Sequence, residues 1–301
     1  MTELTGPKSR YPPAPPVDRI STGPPSGRLS LPPGVPAPPP EPTLVEFIGD
    51  RFVSFLVHLG RISTILAQAC GALLRRPLEF RAIVYQLESL GVRSVGIASV
   101  TAVFIGMVMA VQFAFGLQKF GGMEYTGRVV GLSFARELAP TLTAVIVGGR
   151  IGSGMTAEVG SMAVTEQIDA IYALGADPIK KLVVPRLVAS VIVIPILATF
   201  SLVLGFSGAM IVTSSQFNVS AGFFLKTALD TLTMSDFLSG ICKCPVFGAI
   251  IALVGCYFGL VTTGGTEGVG KSTTRSVVVI SITILIADFF LTKLFMLIWT
   301  R

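Results

Sequence analysis

A single histidine, His58, in 301 residues leaves this chain few routes to general acid–base chemistry. No Ser-His-Asp, Cys-His or HExxH arrangement can be read from it. An intramembrane serine protease is excluded the same way: GxSxG is absent, and Gly152-Ser153-Gly154 has neither the spacing nor the partner. Charge is also scarce. Charged residues make up 13 % of the chain, against about 25 % in soluble domains, while 51 % are hydrophobic and mean hydropathy is +0.75. These values describe an integral membrane protein. The net charge of +6 comes from Lys and Arg placed singly at the ends of apolar runs. That placement fits membrane topology and not a nucleic-acid face, so no nucleic-acid partner is expected. Four cysteines, Cys70, Cys242, Cys244 and Cys256, all lie in apolar sequence without zinc-ligand spacing, which favours buried thiols over a metal or a disulfide.

What is present falls into two domains. Residues 1–43 hold 14 of the 20 prolines and almost no apolar periodicity, so a disordered, partly polyproline tail is expected. It has no signal-peptide core. Its PPxPP run suits an SH3-like partner, but a plain spacer is the better reading. Residues 44–301 carry the rest. From Leu44 to Arg76 polar residues recur every three or four positions, which suits a helix lying in the membrane interface, with His58 on its polar stripe. Five spans follow at about 92–118, 131–156, 183–213, 237–262 and 276–299. The fold class is therefore an all-α integral membrane protein, an interfacial amphipathic helix plus five transmembrane helices. Arg75, Arg76, Arg81 and Arg93 precede the first span, Arg150, Lys180, Lys181 and Arg186 surround the stretch between spans two and three, and Lys271 and Arg275 separate the last two. The positive-inside rule puts the N-terminus in the cytoplasm and the C-terminus outside.

The chain is organised around Gly148–Pro185, a 38-residue stretch rich in polar groups between apolar runs. Within it Glu166, Gln167, Asp169 and Ala170 read as a short helix, stopped by Gly175 and followed by Asp177-Pro178 and Pro185. On the cytoplasmic face such a helix is a docking site for a soluble partner or an ordinary loop helix. Four charges lie inside apolar runs: Arg136, Glu137, Lys243 and Asp288. Each alone is costly in hydrocarbon, so mutual pairing is expected, whether structural or in substrate handling. Ala144, Gly148, Gly152 and Thr156 put small residues on one face, for packing within the subunit or across a dimer. Met107, Met109, Phe113, Leu117 and Phe120 either line an apolar cavity or face lipid.

Gly265–Ser272 matches GxxxxGK[ST], the phosphate-binding P-loop. Only about a dozen residues separate the flanking spans, leaving no room for the strand and sheet that motif needs. A glycine-rich cytoplasmic turn is expected instead.

Several blocks together carry a resemblance: Arg136-Glu-Leu-Ala-Pro140, Gly149-Arg-Ile-Gly-Ser153, Thr156-Ala-Glu-Val-Gly160, Thr165-Glu-Gln167, Asp177-Pro178, Val184-Pro-Arg186, Gly268-Val-Gly270 and Thr273-Thr-Arg275. In this order they resemble the MlaE/YrbE family, permeases of ABC transporters that work with MCE lipid-binding proteins. The resemblance covers about residues 45–300. It implies a homodimer in the bacterial inner membrane, with Glu166–Gly175 as a coupling helix seated in a separate ATPase. ATP and magnesium would bind there, so this chain is expected to be neither an enzyme nor a cofactor binder. A periplasmic ring of MCE-domain proteins, a hexamer, would exchange phospholipid with a cavity shaped by Arg136, Glu137, Lys243 and Asp288, in the service of outer-membrane lipid asymmetry. Two other classes stay open on the residues alone. A proton-coupled secondary transporter would use the four charges as a relay, and an envelope scaffold would tolerate their joint neutralisation.

Overall fold

The computed structural model describes residues 44–74 and 79–299; the Pro-rich tail 1–43 and the basic pair Arg75-Arg76 lie outside these. Residues 44–51, the start of the first helix, belong to a unit separate from 52–301, and the description below concerns the second. Among the described residues there are nine α-helices and no strand. They are α1 (Leu44–Leu74), α2 (Phe80–Gln118), α3 (Thr126–Ser133), α4 (Thr143–Val164), α5 (Gln167–Ala173), α6 (Val184–Gln216), α7 (Ala221–Thr231), α8 (Met234–Leu260) and α9 (Gly265–Trp299). Two π-helical stretches, Phe134–Leu142 and Ile179–Val183, join α3 to α4 and lead into α6. Among the described residues six helical segments are long and apolar enough to cross a membrane, and the window in α1, Leu56–Leu73, has the lowest mean hydropathy, 1.3.

Small residues set the packing. Along α2, Ser94, Ala98, Ala102, Gly106, Ala110 and Ala114 recur every fourth position and are all buried, so α6 can approach backbone to backbone. A methyl group on Gly106 would sit 2.0 Å from the Gly205 carbonyl oxygen, and one on Gly208 would sit 2.4 Å from that of Val103. The small face of α4 packs within the subunit. Gly148 meets Ile251 of α8, Gly152 meets Ile280 of α9, and the Thr156 hydroxyl lies 2.9 Å from both the Gly255 carbonyl oxygen and Ser276 Oγ. On α1, Ile62, Ile65, Ala69 and Ala72 recur at helical spacing and seat the helix on this core, while His58 hydrogen-bonds the buried Tyr257 hydroxyl.

Three boundaries differ from the sequence expectation. The helix that carries the first expected span begins at Phe80, a dozen residues before that span, because Arg81, Gln86, Glu88 and Arg93 dilute the hydropathy of a continuous helix. The helix α7, capped by the Ser220 side chain accepting from Phe223 N, fills what reads as a loop. The glycine-rich turn at 265–275 is helix from Gly265 onward, and the reversal is confined to a few residues around Gly264 and Gly265, at φ +86° and +67°. Of the thiols expected to be buried, Cys244 and Cys256 are, whereas Cys70 and Cys242 are exposed on helix faces.

Candidate functional site

The helix that enters at Thr126 widens into π-helix over Phe134–Leu142. Pro140 lies inside it and has no N–H to give the Arg136 carbonyl four residues back. Lys243, reaching across from α8, donates to that oxygen at 3.2 Å. Its ammonium also meets Glu137 Oε1 at 2.8 Å, Asp288 Oδ1 at 3.1 Å and Thr292 Oγ1 at 2.7 Å. Asp288 and Thr292 stand one turn apart on α9, so both face the same point. The Thr292 hydroxyl donates in turn to Glu137 Oε1 at 3.0 Å. Lys243 is 2 % exposed, and its partners supply the oxygens an ammonium needs out of water.

Arg136 does not join this group. It turns to Asp236, donating from both Nε (2.7 Å) and Nη2 to Oδ1. Asp236 closes the capping box that starts α8: its Oδ2 accepts from Thr233 N at 3.0 Å and from Thr233 Oγ1 at 2.8 Å. The four expected charges are therefore brought together, but in two pairings. Asp236 and Thr292 were not anticipated. The readable sign was Thr233-x-x-Asp236 opening an apolar run, a capping-box pattern. Beside these groups lies a cavity of about 310 Å³, with Arg136, Glu137, Asp236 and Lys243 on its polar side and Leu132, Phe295 and Met296 on its apolar side. Met107, Met109, Phe113 and Leu117 are half-buried on α2, Phe120 is exposed beyond it, and none of the five borders this cavity.

The opposite end of the bundle holds α5. It is seven residues long and sits between Glu166 at φ +58° and Gly175 at φ +74°. Ile168 anchors it in a small cluster with Val159 and Leu182. Glu166, Gln167, Asp169, Ala170 and Gly175 are exposed, as are Tyr172 and Leu174. Asp177 Oδ1 accepts from Ile179 N at 2.9 Å and fixes the re-entry, with Pro178 buried beneath it. Behind α5, buried Arg186 holds Glu158 at 2.8 Å and donates to the Leu182 carbonyl at 2.7 Å. Near-continuous helix from Arg136 to Glu166 separates the two regions by about 45 Å.

The P-loop pattern is ruled out by its backbone. Gly265–Ser272 forms the first two turns of α9, and Lys271 pairs along the helix with Glu267 at 2.6 Å. Among the described residues no cluster of three or more His, Cys, Asp or Glu could hold a metal.

The family model described as Permease MlaE matches residues 83–294. A probable ABC transporter permease protein of Synechocystis is 44 % identical over 209 residues, 69 % of this chain and 80 % of that one. A probable ABC transporter permease protein of Rickettsia conorii is 37 % identical over 252 residues, covering 84 % of this chain and 97 % of that one. The chloroplastic protein TRIGALACTOSYLDIACYLGLYCEROL 1 of Arabidopsis thaliana is 37 % identical over 234 residues, 78 % of this chain and 67 % of that one. The chain thus belongs to the MlaE family of ABC transporter permeases.

Proposed function

We propose that this permease moves phospholipid or a related lipid, as a homodimer driven by a separate cytoplasmic ATPase. The observation that carries the reading is the cavity beside Lys243, about 310 Å³, with charges of both signs on one wall and Leu132, Phe295 and Met296 on the other. Such a site matches an amphiphile, whose headgroup needs paired polar partners and whose chains need apolar walls. The name of the chloroplast relative, which contains a diacylglycerol lipid, supports the same class.

In this reading α5 is the coupling helix. Its exposed Ala170 and Tyr172, with Leu174 just beyond it, enter a groove of the ATPase, which alone holds ATP and Mg²⁺. Closure of the ATPase dimer moves α5 as a lever, and the span from Thr126 to Val164 carries that motion to Arg136 and Glu137. The α5 end faces the cytoplasm, the α7 end the periplasm, and a hexameric MCE-domain ring receives or delivers lipid at the α7 end of a bacterial inner-membrane complex. The test is purification of the tagged chain in mild detergent with mass spectrometry of proteins and lipids. An ABC ATPase, an MCE-domain protein and phospholipid are expected together. Recovery of the chain alone, with uptake driven by a proton gradient, would favour a secondary transporter instead.

A further inference from the structure

Three cations within the spans are matched to carboxylates. Arg136 has Asp236, Arg186 has Glu158, and Lys243 has Glu137 and Asp288. Arg93 makes no ion pair and no side-chain hydrogen bond among the described residues. Arg150 has only a hydroxyl, donating from Nη1 to Ser94 Oγ at 2.8 Å. Both unmatched guanidinium groups line one cavity of about 360 Å³ between α2 and α4. Gln86, 8 % exposed, and Ser153 add polar groups to its wall, and Leu90 and Met155 add apolar ones. The carboxylate of Glu158 also borders it, but that group is held by Arg186.

Both guanidinium groups are exposed on the cavity wall without a carboxylate partner, where an anion from outside the chain can reach them. A planar guanidinium matches a phosphate by paired N–H···O bonds, and two of them accommodate one phosphate group. Depth identifies the source. Arg150 lies fourteen residues from Arg136 on one continuous helical path, about 20 Å toward α5. Across a hydrocarbon core of roughly 30 Å, that places the two cavities at the levels of opposite leaflets. We infer that the Arg93–Arg150 cavity holds the phosphate of a lipid headgroup from the leaflet on the α5 side. It is a second lipid site, in addition to the Lys243 cavity proposed for transport.

The test uses the full chain purified in detergent and titrated with phosphatidylglycerol under native mass spectrometry, comparing wild type, R93Q/R150Q and R93K/R150K. Circular dichroism and elution volume establish that each is folded. The wild type is expected to retain one lipid that R93Q/R150Q binds at least about tenfold more weakly, since each lost charge-assisted contact is worth more than about 1.4 kcal/mol. The lysine pair, which keeps both charges, retains part of that affinity. Equal retention by wild type and R93Q/R150Q overturns the assignment, and so does a loss as complete in the lysine pair. Inorganic phosphate in excess should leave the lipid in place; displacement would mean a soluble anion and overturn the lipid source. Binding is read on the chain alone, so a negative result leaves the ATPase-driven reading standing.

Discussion

Lys243 donates to the main-chain oxygen of Arg136, the carbonyl that Pro140 deprives of its α-helical donor. A tertiary contact from α8 thereby satisfies the acceptor that Pro140 leaves open. The π-helix at Phe134–Leu142 presents that carbonyl and the Glu137 carboxylate side by side to one ammonium.

Replacing Lys243 by Met is expected to cost at least about 3 kcal/mol, because Glu137 and Asp288 would face one another with no cation between them. Thermal melting in detergent measures this. Adding Glu137→Gln and Asp288→Asn to Lys243→Met should restore part of the loss. Absence of any restoration would show that shape, and not charge balance, governs the site.

Asp236 serves both Arg136 and the α8 N-terminus, so its two roles should separate. Asp236→Asn keeps an acceptor for Thr233 and should cost less than Asp236→Ala, which removes cap and ion pair together, by about 1 kcal/mol. Paired melting curves of the two variants decide this.

On α2, glycines predict opposite outcomes within one helix. Gly106→Ala should destabilise by about 2 kcal/mol, since its methyl would meet the α6 backbone, whereas Gly96→Ala has open space and should be neutral or slightly favourable. Equal melting temperatures for the two variants would contradict the close α2–α6 approach.

Lys271→Ala should leave nucleotide hydrolysis by the assembled transporter unchanged and shift stability by under about 0.5 kcal/mol, because its partner Glu267 is a solvent-exposed i,i+4 neighbour. An ATPase assay of the complex and a melting curve check both statements.

The spans, α5 and the four embedded charges were legible because each is a local signal: an apolar run, a glycine stop, a lone charge in hydrocarbon sequence. Asp236 was not, since its pairing with Arg136 joins positions 100 residues apart and its local signature indicated only a cap. The α9 start was missed because Gly265, Gly268 and Gly270 read as a turn, whereas only the reversal at Gly264 and Gly265 needs glycine and Thr266–Arg275 continue as helix. The ladder from Ser94 to Ala114 on α2 was readable as small residues every fourth position, but apolar neighbours on every face hid which side was inside.

The most direct test of the central claim is lipid transfer in proteoliposomes holding the permease and its ATPase, with wild type compared to Ala170→Arg. Ala170 is exposed on α5, so an arginine there leaves the bundle intact and disrupts the proposed docking to the ATPase. The wild type is predicted to move a fluorescent phospholipid only with ATP, and Ala170→Arg to remain inserted while losing both ATPase association and transfer. Transfer that persists in Ala170→Arg without bound ATPase, or that stops on collapse of a proton gradient with ATP present, would contradict it.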